Sequence, residues 1–86
     1  MKRHELKCWP EPFAALWNNK KWFEFRFDDR GFKVGDTLWI REWDGKAHTG
    51  RSLDRSVTYI LAGGFGLPMR YVIMSLAGLD GPGETK

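Results

Sequence analysis

Large apolar and charged side chains alternate across residues 22–27, where Phe23, Phe25 and Phe27 fall on one face and Trp22, Glu24 and Arg26 on the other. This spacing predicts a strand whose phenylalanine face enters the core. Residues 3–9 alternate around Leu6 and predict a short first strand, ended by Pro10. Pro10-Glu11-Pro12 then opens a helix, because proline suits a first helical turn and a carboxylate suits the positive end of the helix dipole. The helix is predicted over 11–19, with Phe13, Leu16 and Trp17 at helical spacing as its buried stripe and Asn18-Asn19 as its end.

Beyond the phenylalanine strand, Asp28-Asp29-Arg30-Gly31 reads as a turn and 32–36 as a loop. Residues 37–43 predict another strand, and Asp44-Gly45 is a hairpin signal. The returning side runs over 46–53, interrupted by Gly50. Residues 56–61 and 69–76 supply further strands, separated by the glycine-rich segment 62–68. The sum is an α+β fold: five to six short strands curled into a small barrel or half-barrel, with one main helix after the first strand. Curling also protects sheet edges that would otherwise be exposed. One domain is predicted over 1–77, followed by a Gly-, Pro- and charge-rich flexible tail over 78–86.

Composition sharpens this picture. A chain of 86 residues carries one domain. A domain of this size buries only about 60% of its unfolded surface, so its core needs bulky apolar groups. Five Trp and six Phe provide them, with some to spare for a stacking surface. Cys8 is the sole cysteine, which excludes an intramolecular disulfide and a thiolate zinc cluster; it reads as a buried small hydrophobe in a reducing, cytoplasmic setting. The opening residues lack the apolar run of a signal peptide, and no apolar stretch approaches 18 residues. No metal, cofactor or membrane is therefore expected. The net charge of +3 is compatible with a polyanionic partner without requiring one.

The densest chemistry lies at the junction of helix and second strand. Lys20 and Lys21 precede Trp22, Glu24 and Arg26, which recur about 6.5–7 Å apart along one strand face. An aromatic, a carboxylate and a guanidinium in a row can stack a base, accept a hydrogen bond from an amino group and pair with phosphate. The bland alternative is a solvated edge-strand face with a weak Glu24–Arg26 surface pair. Arg41 lies on one strand face with Trp39 and Trp43 and offers a second aromatic and basic surface, or a tryptophan-lined core with Arg41 at its rim. His4 and His48 lack metal-ligand spacing and read as structural or surface groups. Residues 63–66 resemble a phosphate loop in composition only, lacking the Lys-Ser/Thr that follows the glycines, and read as a simple turn rather than a lid. Arg51, Arg55 and Arg70 are spread along the chain and fit a basic rim or a solvated surface equally well.

The run Asn19-Lys20-Lys21-Trp22-Phe23-Glu24-Phe25-Arg26 resembles the ASCH signature, in which G-x-K-x-x-E-x-R joins the first helix to the second strand. His4-Glu5-Leu6-Lys7 before Pro10, Phe32-Lys33-Val34-Gly35-Asp36 leading into Leu38-Trp39-Ile40-Arg41-Glu42-Trp43, and the later Val57-Thr58-Tyr59-Ile60 and Tyr71-Val72-Ile73 resemble a small bacterial and phage branch of that superfamily. The likeness spans about residues 2–76. It implies a PUA-like barrel with a cleft beside the first helix that recognises RNA or a nucleotide. Lys7, Lys21, Glu24 and Arg26 would then face the cleft, and Trp22 would narrow it or wall it. Asn19 replaces the usual glycine, a substitution that asparagine's tolerance of left-handed backbone permits.

The first expectation is thus a binding module for RNA or a nucleotide, using Lys7, Lys20, Lys21, Trp22, Glu24, Arg26 and Arg41. The second is an enzyme on the same cleft, either a nucleoside amidohydrolase with Lys21 and Glu24 as catalytic candidates or a ribonuclease that also draws on Lys7 and His48. The amidohydrolase resemblance is incomplete: Glu24 stands where threonine would be the nucleophile, and the insertion bearing a distal Glu is absent. The third is a protein-interaction module of phage origin.

Overall fold

The first strand, β1 (Arg3–Cys8), pairs in parallel with β3 (Thr37–Trp43), placing Leu6 beside Ile40 and Cys8 beside Glu42. Between them in sequence come the helix α1 (Pro10–Trp17) and the strand β2 (Phe23–Phe27), and after them β4 (His48–Ala62) and β5 (Tyr71–Ala77). All other pairings are antiparallel, and the sheet order is β1-β3-β4-β5-β2. This computed structural model describes residues 1–78. The tail expected over 78–86 lies, beyond Gly78, outside the described residues. The coarse expectation holds: one mixed five-stranded sheet, curled into a half-barrel, with one short helix.

The core fills the concave side of the sheet. Phe13 and Leu16 of α1 are completely buried against Leu6, Leu38, Ile40, Val57 and Met74. The helix begins at Pro10, one residue ahead of the predicted start, with Glu11 in its first turn. It ends as Asn19 turns left-handed, at φ 61°. The amides of Lys20 and Lys21 both donate to the Ala15 carbonyl there, at 2.8 and 3.0 Å, satisfying an acceptor that the last turn would leave open. Asparagine thus takes a left-handed conformation that few residues other than glycine adopt readily.

Two expectations need correction. The predicted strands over 46–53 and 56–61 are one 15-residue strand, β4. Its first half pairs with β3 and its second with β5, so the ladder continues where local sequence suggested a break; a register shift at Val57/Tyr59 supplies the bend. Gly50, at φ 102°, is absorbed into the strand.

The second correction concerns β2. Its alternation is present with the opposite sense: Phe23, Phe25 and Phe27 are 47%, 48% and 43% exposed, whereas Glu24 is 3% exposed. The register explains this. Glu24 stands opposite Met74 and Arg26 opposite Val72, and both β5 partners point into the core. Phe25 and Phe27 instead share the outer face with Tyr71, their ring centroids 5.3 and 5.4 Å from its own. A two-residue period fixes which side chains go together, but the neighbouring strand fixes which way they go.

Candidate functional site

Because β1 and β2 are the two ends of the sheet order, curling brings them towards each other without a backbone ladder between them. The seam is bridged by side chains. Arg26 Nη2 donates to the carbonyl oxygen of Lys7 at 2.8 Å, and Arg30 Nη1 donates to that of Glu5. Each guanidinium satisfies a carbonyl of an edge strand that has no neighbour on that side.

Beside this bridge opens a cleft of about 340 Å³, lined by Lys7, Cys8, Trp9, Pro12, Lys21, Phe23, Glu24, Phe25 and Arg26. This volume is at the lower end of the range for small-molecule sites. Glu24 organises its charged wall. Lys21 Nζ donates to Glu24 Oε1 at 2.5 Å, and Arg26 Nε donates to Glu24 Oε2 at 2.7 Å. The carboxylate is buried while its two cationic partners reach partly into solvent. With Lys7, the wall carries three cations against one carboxylate, and both oxygens of that carboxylate are engaged. Charge-assisted bonds of this kind hold their donors in fixed positions. A second, wider hollow on the same seam is lined by Glu5, Lys7, Arg26 and Arg30, so Lys7 and Arg26 stand between the two.

The floor includes Cys8, whose thiol is raised to about 11, first by burial and then by the charge of Glu24, against the opposing effects of Lys21 and Arg26. It is therefore a protonated thiol near neutral pH, a poor nucleophile. Opposite Cys8 in the ladder, the buried Glu42 accepts from Arg51 Nε and Nη2, both at 3.0 Å, and from Thr49 Oγ1 at 2.6 Å. Those bonds, the Arg51 contact foremost, hold its carboxyl below the usual range. Arg51 in turn lies over the rings of Phe13 and Trp17, so it braces the helix rather than forming a basic rim.

The structure brings Lys7, Lys21, Glu24 and Arg26 together and places the other candidates elsewhere. Trp22 packs against the core, donates its indole N–H to the Asn19 carbonyl at 3.0 Å and lies under the Arg55 guanidinium at 4.7 Å. It is not part of the cleft lining, and neither is Lys20. The buried Arg55 also donates to the Leu16 carbonyl, setting a cation at the negative end of α1. Arg41 lies on the outer face of β3, where it and Arg3 flank the Trp39 ring at 4.6 and 4.4 Å, and it pairs with Glu5. Lys7 Nζ lies 4.1 Å from the Trp43 ring centroid, linking that outer face to the seam.

His48 packs edge-on against Trp43, and His4 is buried on Asp36 at 2.8 Å. Residues 63–66 lie at the other end of β2: Gly63 shares a surface hollow with Asp28 and Arg70, away from the cleft. Among the described residues, no group of three or more His, Cys, Asp or Glu side chains is placed to hold a metal ion. No described helix is long and apolar enough to cross a membrane.

Trp9, Pro12, Phe23, Phe25 and Arg30 were not among the candidates from sequence. No local signal marks Trp9, whose place depends on the distant hairpin at Asp44-Gly45. A Cβ on Gly45, whose φ is 99°, would approach the Trp9 ring to 3.2 Å, so the hairpin turn seats the tryptophan at the cleft mouth. Arg30 sits in a turn ordered by Asp28, whose Oδ1 accepts from the amides of Arg30, Gly31 and Phe32.

Comparison with known proteins adds a family. The chain is 39% identical over 57 residues to the "Uncharacterized 12.9 kDa protein in GpA 3'region" of Escherichia phage P2. The matched part covers 66% of this chain and 52% of the phage protein, so the chain spans about half of that relative's length. The family model for a domain of unknown function, DUF3850, matches residues 3–76, from the start of β1 nearly to the end of β5. The chain belongs to the DUF3850 family.

Proposed function

We propose that this protein is a PUA-like binding module of the ASCH kind that takes RNA or a nucleotide into the seam cleft. The observation that carries the reading is the Lys21–Glu24–Arg26 network: two cations held by one buried carboxylate at the wall of a cleft that Lys7 also lines. Lys7, Lys21 and Arg26 contact phosphate, and Glu24 orients Lys21 and Arg26 towards it. Trp9 supplies an apolar wall against which a base can stack. The curled mixed sheet and the helix following β1 are compatible with the small barrel that the resemblance to the ASCH family implies. Arg41, on the outer face beside Trp39, contributes only if the ligand extends past Lys7.

Binding is favoured over turnover on the same cleft. Both Glu24 oxygens are occupied by cations, and the Cys8 thiol is protonated near neutral pH. Neither group is poised as a nucleophile or base. The test is a titration of labelled RNA at several salt concentrations. Lys21→Ala and Arg26→Ala should each weaken binding and lower the salt slope by about one. Unchanged affinity and slope in both variants would remove the assignment.

A further inference from the structure

The outer face of β2 and β5 is aromatic, uncovered and unused by the cleft reading. Phe23, Phe25 and Phe27 follow one another along β2, each more than two-fifths exposed, and Tyr71 packs between the last two. Strand spacing sets the three phenylalanine rings about 6.5–7 Å apart in a line. Such a row has a cost in water, and a folded domain of this size has reason to keep it only for a contact. Both ends carry cations: Lys21 Nζ lies 4.8 Å from the Phe23 ring centroid, and the Arg70 guanidinium lies 5.3 Å from that of Phe27. Among the described residues, Arg70 makes no ion pair.

The row is continuous with the cleft, because Phe23 and Phe25 also line it and Lys21 belongs to both. Aromatic rings at regular spacing with a cation at each end suit a flexible polyanion that presents successive flat bases, whereas a duplex keeps its bases stacked inside. A second copy of this chain laid face to face would instead have to accommodate the same cations twice.

We propose that Phe23, Phe25, Phe27 and Tyr71 form a stacking platform for unpaired bases, so that the ligand is a single-stranded nucleic acid several nucleotides long, running from the cleft along β2 towards Arg70. This inference rests on the cleft reading above and specifies the ligand as an unpaired strand.

The experiment titrates a fluorescein-labelled ten-nucleotide oligouridylate, and separately a duplex RNA of ten base pairs, against five chains. These are the wild type, Phe25→Ala, Phe27→Ala, Phe25→Trp and the cleft variant Lys7→Ala. All of these positions are exposed, so the variants should fold, and circular dichroism melting checks that they do. Phe25→Ala and Phe27→Ala should each weaken the single strand by about 5- to 150-fold, the range for losing one base–aromatic stack. Phe25→Trp should retain wild-type affinity, and the duplex should bind more weakly than the strand. If Lys7→Ala weakens binding while both alanine variants at phenylalanine bind as wild type, the platform is wrong and the cleft reading stands. A wild type that binds neither RNA removes both. Sedimentation of the same samples tests the competing occupant: a dimer that Phe25→Ala dissolves, with oligonucleotide affinity unchanged, would make this face a self-association surface and overturn the platform.

Discussion

Arg26 reaches across the seam of the half-barrel to the Lys7 carbonyl, 2.8 Å away, while its Nε holds Glu24. One side chain therefore closes the gap between the two edge strands and positions the charged wall of the cleft. Arg26→Ala should destabilise the fold by about 1.5–3 kcal/mol, the range for charge-assisted hydrogen bonds. Arg26→Lys should recover little of it, because an ammonium lacks the fork that serves two acceptors. Urea unfolding measures both, and an Arg26→Lys variant as stable as the wild type would show that the bridge is not structural.

Glu24 is the buried acceptor for two cations. Glu24→Ala leaves Lys21 and Arg26 side by side without their shared carboxylate and should cost about 3 kcal/mol, at the lower end of the range for breaking a buried pair from one side. Loss of less than about 0.5 kcal/mol, the size typical of an ordinary surface substitution, would mean that Glu24 is solvated in solution.

The inverted face of β2 separates two phenylalanines by their cost. Phe13→Ala opens a cavity at a fully buried position and should destabilise by about 3–5 kcal/mol. Phe25→Ala, at a position 48% exposed, should cost roughly 1 kcal/mol. Equal losses in paired melting experiments would return the phenylalanine row to the core.

Acid should weaken the fold through Asp36. Burial raises this carboxyl, but hydrogen bonds from His4 and from the amides of Lys2 and Lys33 outweigh it and bring the group from 3.8 to about 2. A depressed folded-state value means that the contribution is complete above about pH 4 and is lost as pH falls towards 2. The stability gap between wild type and Asp36→Asn should therefore narrow across that window. A gap that stays constant from pH 5 to pH 2 would contradict the assignment.

Cys8, raised to about 11 and buried, should resist iodoacetamide at pH 8 in the native protein and react readily in denaturant. Stoichiometric alkylation of the folded protein within minutes would show the cleft floor to be open and the thiol ionised.

Much of this architecture was legible locally. Proline at the helix start, asparagine at its left-handed end and Asp44-Gly45 at the hairpin are short-range signals, and each marks the feature it predicts. The pairing of Glu24 with Arg26 was legible too, since period two puts both on one face; Lys21, of the opposite parity, joins them through the turn that precedes the strand. The continuity of β4 was not, because the glycine at 50 reads as a break until two different partner strands are seen to share one long strand. Trp22 was drawn to the core under Arg55 and Trp9 to the cleft by the hairpin at Gly45, contacts made across the fold.

The order of residues was enough to say which side chains travel together: three phenylalanines on one side of a strand, an acid and an arginine on the other. Which of those sides faces in was settled by the assembled sheet. The choice follows from the strand alongside, where Val72 and Met74 point to the core and carry Arg26 and Glu24 inward with them. Alternation is a property of one chain segment, whereas inside and outside exist only once the sheet has curled around its helix.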